Sequence, residues 1–141
     1  MELREARAAD APGIAELLDQ LGYPTTPEQV EARLARLAVS GDDATWVADE
    51  DGAIIGLAGI HVSASLEHEG DVAKVSEIVV DERFRRRGIG GALLAEAERE
   101  ARRRGCVLLF LTTAERRKDA HAFYRRLGFE ETGRRFAKAL D

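Results

Sequence analysis

The sequence predicts an α/β layered domain, with helices packed against one mixed sheet. Three observations carry that expectation. Segments of strand and helix character follow one another in the order β, α, α, β, β, β, α, β, α, β. Residues 106–112 are almost wholly apolar, the pattern of a strand buried on both faces. The strand that ends Ile78-Val79-Val80 runs through an arginine cluster into glycines that open a helix.

Each element has its own local signal. Residues 3–6 read as a short opening strand. Asp10 is placed to cap a first helix that tolerates Pro12 in its opening turn; Ile14, Leu17, Leu18 and Leu21 form its apolar stripe, and Gly22 ends it. Thr26-Pro27-Glu28-Gln29 has the form of a capping box before a second helix with Val30, Leu34 and Leu37 on one face. Residues 45–49 and 53–62 read as strands joined through Asp51-Gly52, a hairpin signal. Residues 63–71 are polar and glycine-containing, as a loop or hairpin tip is, and residues 72–80 form the fourth strand.

A third helix is expected over residues 88–104, with Glu98 four before Arg102 and Glu100 four before Arg104, the favourable orientation for such pairs. Its last-turn arginines complement the helix dipole before Gly105. A fourth helix should carry Ala120, Phe123, Tyr124 and Leu127 on one side and stop at Gly128. Residues 129–140 then supply one or two final strands.

At 141 residues and 45% hydrophobic, the chain fits one domain over residues 1–141, burying roughly 70% of the surface of its unfolded form. Glu2, Arg4, Glu5, Arg7 and Asp10 leave no apolar core for a secretory signal, and no stretch approaches the ~18 apolar residues of a membrane span. The single cysteine, Cys106, excludes an intramolecular disulfide. That suits a cytoplasmic location, and its apolar surroundings mark it as a small core residue. A net charge of −5 argues against a general nucleic-acid binder. The charge is uneven: residues 1–82 sum to −13 and residues 83–140 to +9. A basic half suits an anionic cofactor and an acidic half a cationic amine, unless the segments interleave in space.

The segment Arg83-Phe84-Arg85-Arg86-Arg87-Gly88-Ile89-Gly90-Gly91 has the makings of a diphosphate cradle. N–H groups that open a helix lack intrahelical partners and sit at the positive end of its dipole. Glycine at 88, 90 and 91 omits the Cβ atoms that would hold a diphosphate away, and Arg85, Arg86 and Arg87 can add forked hydrogen bonds to phosphate oxygens. The competing reading is a glycine-rich turn beside a solvated charge run. A P-loop is excluded because no Gly-Lys-Ser/Thr follows, and the dinucleotide fingerprint lacks its third glycine at 93.

Arg85-x-x-Gly88-x-Gly90 resembles the acyl-CoA signature of the GNAT superfamily of N-acetyltransferases. A second segment, Ala120-x-x-Phe123-Tyr124-x-x-x-Gly128-Phe129, is similar to that family at the expected separation, and the resemblance covers nearly the whole chain. It implies a GNAT-like single domain whose mixed sheet splays between strands four and five, with helices on both faces. It implies acetyl-CoA as co-substrate: backbone groups of Ile78, Val79 and Val80 along the pantetheine, the 86–91 backbone, Ile89 included, on the diphosphate, and Tyr124 facing the cofactor sulfur as general acid. Arg117 stands where many relatives have an asparagine bound near the pantetheine.

For such chemistry a proton must leave an alkylammonium of pKa about 10 before its nitrogen attacks. The positions that commonly carry the family's base fall on Lys74 and Ser76. Glu77 is the first candidate, but strict alternation sends it to the opposite face unless a bulge intervenes. His61 and His121 are the other candidates, as base or as acceptor contacts.

The phrase Arg117-x-Asp119-Ala120-His121-x-Phe123-Tyr124, with Gly59-x-His61 and Arg135-Phe136-x-Lys138-Ala139-Leu140, resembles the bacterial aminoalkylphosphonate N-acetyltransferases. Members of that group are associated with a divalent metal, yet their histidine-rich loop is thinned here to His61, Glu67 and His68, so no metal site is expected. The expected function is acetylation of a small-molecule primary amine, by a monomer or homodimer. Acetylation of a protein N-terminus or lysine, and acyl-CoA binding without turnover, are the alternatives.

Overall fold

The computed structural model describes residues 1–113 and 118–140. Five strands form one sheet in sequence order: β1 (Glu2–Glu5), β2 (Asp43–Glu50), β3 (Ala53–Ser63), β4 (Asp71–Val80) and β5 (Cys106–Phe110). Pairing is antiparallel from β1 through β4 and parallel between β4 and β5. A parallel neighbour needs a crossover, and α3 (Ile89–Arg103) supplies it. Helices α1 (Ala11–Leu21) and α2 (Pro27–Ser40) cover one face of the sheet, while α3 and α4 (Lys118–Arg126) cover the other.

The local signals hold where they are chemical. Thr26 Oγ1 accepts from the Gln29 N–H and Gln29 Oε1 from the Thr26 N–H, a closed capping box. Asp51 and Gly52 take φ of 52° and 91°, the left-handed pair that a two-residue hairpin demands. The Glu98–Arg102 and Glu100–Arg104 pairs form at 3.4 and 2.9 Å. Asp10 departs from expectation: it precedes α1, but its carboxylate makes no cap. It accepts two hydrogen bonds from Arg4, each 2.8 Å long, and Arg4 also reaches Asp49 at 3.0 Å. One guanidinium thus ties β1, β2 and the start of α1 together.

Two apolar clusters sandwich the sheet. Ile55, Ile60, Ala73 and Val75 meet Ile89, Leu93, Leu94 and Ala97 of α3 on one side. Val47, Leu57 and Val79 meet Ala11, Ile14, Ala15 and Leu17 of α1 and Val30 of α2 on the other. Fully buried Leu17, Leu57 and Leu93 each contribute about 1.5–3 kcal/mol by leaving water. Gly56 lets α3 lie close, because a Cβ there would meet Leu93 Cδ1 at 3.0 Å.

The C-terminal part differs from expectation. β5 is not buried on both faces: Val107, Leu108 and Phe110 are exposed by 55, 41 and 37%. Residues 129–140 form no strand, and Phe136 and Leu140 lie open to solvent. With Glu130, Glu131, Gly133, Arg134, Arg135 and Lys138 among them, these residues have too little apolar surface to offset the entropy of ordering. Leu127 is likewise exposed, while Phe123, Tyr124 and Phe129 do pack on the α3-side core. Cys106 is only partly buried; that burial, and then the charge of Asp71, raise its thiol above the ordinary range. Among the described residues no helix is long and apolar enough to cross a membrane.

Removing the Asp10 carboxylate leaves a largely buried guanidinium short of one partner. Asp10→Ala should therefore lower unfolding free energy in urea by about 2–4 kcal/mol. Arg4, and next the Arg7 N–H, hold the Asp10 carboxyl below its ordinary range. That contribution is complete above about pH 4 and is lost as pH falls through the lowered native value. Asp10→Asn should remove this part of the acid dependence of stability.

Candidate functional site

The sheet opens between β4 and β5. β4 stays in register with β3 as far as Val80 opposite Gly56, whereas its pairing with β5 ends at Lys74 opposite Phe110. Among the described residues no strand therefore lies beside the β5-facing edge of β4 from Val75 to Val80. By ladder alternation Ile78 and Val80 turn their backbone groups to that edge, with the Val80 carbonyl taken by Arg85, whereas Val79 pairs toward β3. Three residues past the end of β5, Thr113 Oγ1 is buried without a partner among the described residues. The sequence reading missed Thr113, because a threonine after a strand carries no signal of its own.

At the end of β4 the chain makes a short 3-10 turn, Glu82–Phe84, capped by buried Asp81, whose carboxylate accepts from the Arg83 N–H and guanidinium. That neighbour holds the Asp81 carboxyl below its ordinary range. Arg83 is thereby committed to the turn and not to the cradle. Arg85 donates to the Val80 carbonyl, and Arg87 stacks over the Phe84 ring at 5.1 Å. Arg86 adopts φ of 67° and Gly88 φ of 79°, so two left-handed residues bracket Arg87 and turn successive N–H groups toward one concavity.

α3 then starts at Ile89 with no side-chain cap. Its first intrahelical donor is Ala92, to the Gly88 carbonyl, which leaves the N–H groups of Ile89, Gly90 and Gly91 pointing out of the helix end. Positions 88 and 91 face open space, whereas a Cβ at Gly90 would meet the Phe123 ring at 3.1 Å. Gly90 is therefore also small so that α4 can pack on α3.

The face beneath α1 and α2 holds the titratable groups. Gly59 pairs with Glu77 but Ile60 pairs with Val75, so Ser76 is an extra residue, a β-bulge in β4. Before the bulge Ala73 and Val75 face α3; after it Val79, and with it Glu77, face α1 and α2. The bulge thus resolves the parity objection and turns Glu77 to the side where Lys74 also points. A Cβ on Gly59 would lie 2.3 Å from Glu77 Oε1, so the carboxylate occupies the room that this glycine leaves. Burial, and then the negative charge of Asp43, raise the Glu77 carboxyl above its ordinary range.

Asp43 stands directly opposite His61 and accepts from it at 3.0 Å through Nδ1. Ser40 Oγ donates to the other Asp43 oxygen at 2.5 Å. The structure thus gathers Glu77, Asp43 and His61 on one face, and it places Tyr124 and His121 on α4 at the other. Tyr124 packs edge-on between Phe123 and Phe129 at 5.3 and 5.9 Å. Arg117 lies outside the described residues. Among the described residues no three His, Cys, Asp or Glu side chains converge as ligands for a metal ion.

Asp43 is the residue that the sequence reading overlooked. Counting back from the Asp51-Gly52 turn sets Asp43 against Ile60, but Ile55 is an extra residue of β3 opposite the Ala48/Asp49 step, which shifts the register by one and brings Asp43 to His61.

Known proteins share this architecture. A model of the acetyltransferase (GNAT) family matches residues 11–129. An aminoalkylphosphonate N-acetyltransferase of Salmonella typhimurium is 40% identical over 90 residues, 64% of this chain and 58% of that protein. The chain therefore spans a little over half the length of that curated relative. An uncharacterized N-acetyltransferase of Bacillus subtilis is 27% identical over 93% of this chain and 91% of its own. The structure of a putative acetyltransferase from Agrobacterium tumefaciens superposes with a TM-score of 0.89 at 26% identity, covering 99% of this chain and all of the other. On its sheet, its splay and a family match over most of its length, the chain belongs to the GNAT family of acetyltransferases.

Proposed function

We propose that this protein transfers the acetyl group of acetyl-CoA to a primary amine of a small molecule by direct attack. The observation that carries the reading is the bulge at Ser76, which delivers a half-buried carboxylate of raised affinity for protons to the edge of the splay. A carboxylate whose proton affinity is raised is a stronger base than an ordinary one.

The residues present fit acetyl-CoA. The uncapped start of α3, the left-handed Arg86 and Gly88 and the open positions 88 and 91 suit a diphosphate, and exposed Arg85 and Arg87 add positive charge. The free edge of β4 and the unpartnered Thr113 hydroxyl suit the amide-bearing pantetheine arm. When bound, acetyl-CoA supplies the acetyl group as a thioester. Glu77 removes the acceptor's proton directly or through water. A backbone N–H on the β4 edge steadies the developing oxyanion, and the Tyr124 hydroxyl donates a proton to the departing sulfur. Aminoalkylphosphonates are the first acceptors to test, given the Salmonella relative, and Lys74, in register opposite His61, offers a cation for their acidic group.

A panel of amines separates this reading from its alternatives. Small amines that accelerate thiol release from acetyl-CoA support it, acceleration by peptides alone favours a protein acetyltransferase, and binding without release leaves an acyl-CoA-binding module. Gly91→Glu puts a carboxylate into the cradle without a clash and should weaken acetyl-CoA binding at least several-fold in calorimetry. An unchanged affinity in the folded variant would remove the diphosphate from residues 86–91.

Tyr124→Phe keeps the ring contacts and should lower turnover by roughly 10²-fold with acetyl-CoA affinity nearly intact. Normal turnover would reduce Tyr124 to a packing residue. With Glu77 as base, kcat/KM should decline as pH falls through its raised value, above the ordinary carboxylate range. Glu77→Gln should slow turnover at neutral pH and recover part of it as pH approaches the acceptor's own pKa. A variant equal to wild type at every pH would exclude Glu77.

A further inference from the structure

We propose that Asp43 is the positioning residue of the acceptor site: it holds His61 at the rim and, with Glu77, keeps a net negative charge that selects acceptors carrying an ammonium group. The inference rests on Glu77 being the base and goes one residue deeper into the same site. Its ground is a charge without a counter-charge. The Asp43 side chain is only 11% exposed, and among the described residues neither it nor Glu77 forms an ion pair with a lysine or arginine. Its recorded partners are neutral Ser40 and the half-exposed imidazole of His61.

A poorly solvated carboxylate beside a second one is costly to keep charged unless a cation arrives. The groups facing Glu77 are few. From β2 comes Asp43, from β3 His61 with Gly59 leaving room, and from β4 itself Lys74, separated from Asp43 by the His61 strand. α1 and α2 present Ile14, Leu17, Val30 and Leu34 to this side, and their charged residues Glu16, Asp19, Glu28, Glu31, Arg33 and Arg36 are exposed. An ammonium group that enters between Glu77 and Asp43 would offset one of their two negative charges, and its proton would pass to Glu77, directly or through water.

The pairing also explains the construction of the rim. Asp43 holds Nδ1 of His61, which fixes the ring and leaves Nε2 free of that bond. Removing the Asp43 charge should weaken attraction for a cation, free the His61 ring, and allow Glu77 to ionise at lower pH.

The test compares Asp43→Asn with wild type on two acceptors, an alkylamine that is cationic at neutral pH and an arylamine that is not. Asp43→Asn should raise the alkylamine KM by about fivefold to tenfold, the scale of one modest charge pair. It should leave the arylamine KM alone and move the acid limb of the arylamine kcat/KM profile to lower pH. A purely structural role would move neither the limb nor the contrast between acceptors. His61→Gln assigns the limb: if it persists in that variant it belongs to Glu77, and if it vanishes the imidazole, not Asp43 acting on Glu77, governs it and the proposal falls.

Should Asp43→Asn fail to fold, Asp43→Ser, which removes the charge and keeps a hydroxyl toward His61, takes its place. It must raise the alkylamine KM selectively, and an unchanged value overturns the proposal. Slow Glu77→Gln beside an Asp43→Asn that matches wild type overturns the role of Asp43 alone. Glu77→Gln with full activity overturns the base assignment first.

Discussion

The site depends on one constraint: β4 must stay paired along one edge and be released along the other. Against β3 it keeps its ladder to Val80, while β5 leaves it after Lys74. Backbone groups without partners cost about 1–3 kcal/mol each when shut away from water, so a gap of this kind persists only where the rest of the structure holds it open. Here α3 braces one face through Ile89 and Leu93, and α1 braces the other around Val79. The unpaired edge is then a ready set of donors and acceptors for a ligand that brings amides of its own.

The two sides of the splay carry opposite charge, and the uneven distribution along the chain survives folding at this place. Arg85, Arg86 and Arg87 gather at the exposed start of α3, while Asp43 and Glu77 lie beneath α1 and α2. Elsewhere the basic half is spent locally: Arg99, Arg102, Arg103 and Arg104 pair with Glu96, Glu98 and Glu100 of the same helix. Exposed pairs of this sort add little stability, but they keep those arginines from competing for an anion. The proposed anionic co-substrate and cationic acceptor would thus meet charges of the opposite sign on opposite faces.

Much of this was legible in the chain because the signals are local. A capping box, a left-handed hairpin pair, glycine stops and an apolar stripe each concern residues within one or two turns of one another, and their chemistry does not depend on distant neighbours. The same holds for the cradle, where strand, arginines and glycines are contiguous. The buried Arg4–Asp10–Asp49 knot was not legible. Asp10 looked like a helix cap, and only the fold brings Arg4 close enough to take its carboxylate away.

By itself the sequence determined the order of elements as far as the fourth helix and the family, and it singled out residues 86–91 as a candidate cradle and Glu77 as the first carboxylate to examine. Tertiary structure decided which face that carboxylate occupies and which residues stand beside it. Two bulges made the decision, at Ser76 in β4 and at Ile55 in β3, each shifting a register by one residue. Register belongs to a pair of strands and to the core both must cover, so a single extra residue reverses every later side chain and no window of sequence reports it. The same reason leaves β5 half-exposed: an apolar run states what a strand could bury, and only the neighbours that fold against it settle how much is covered.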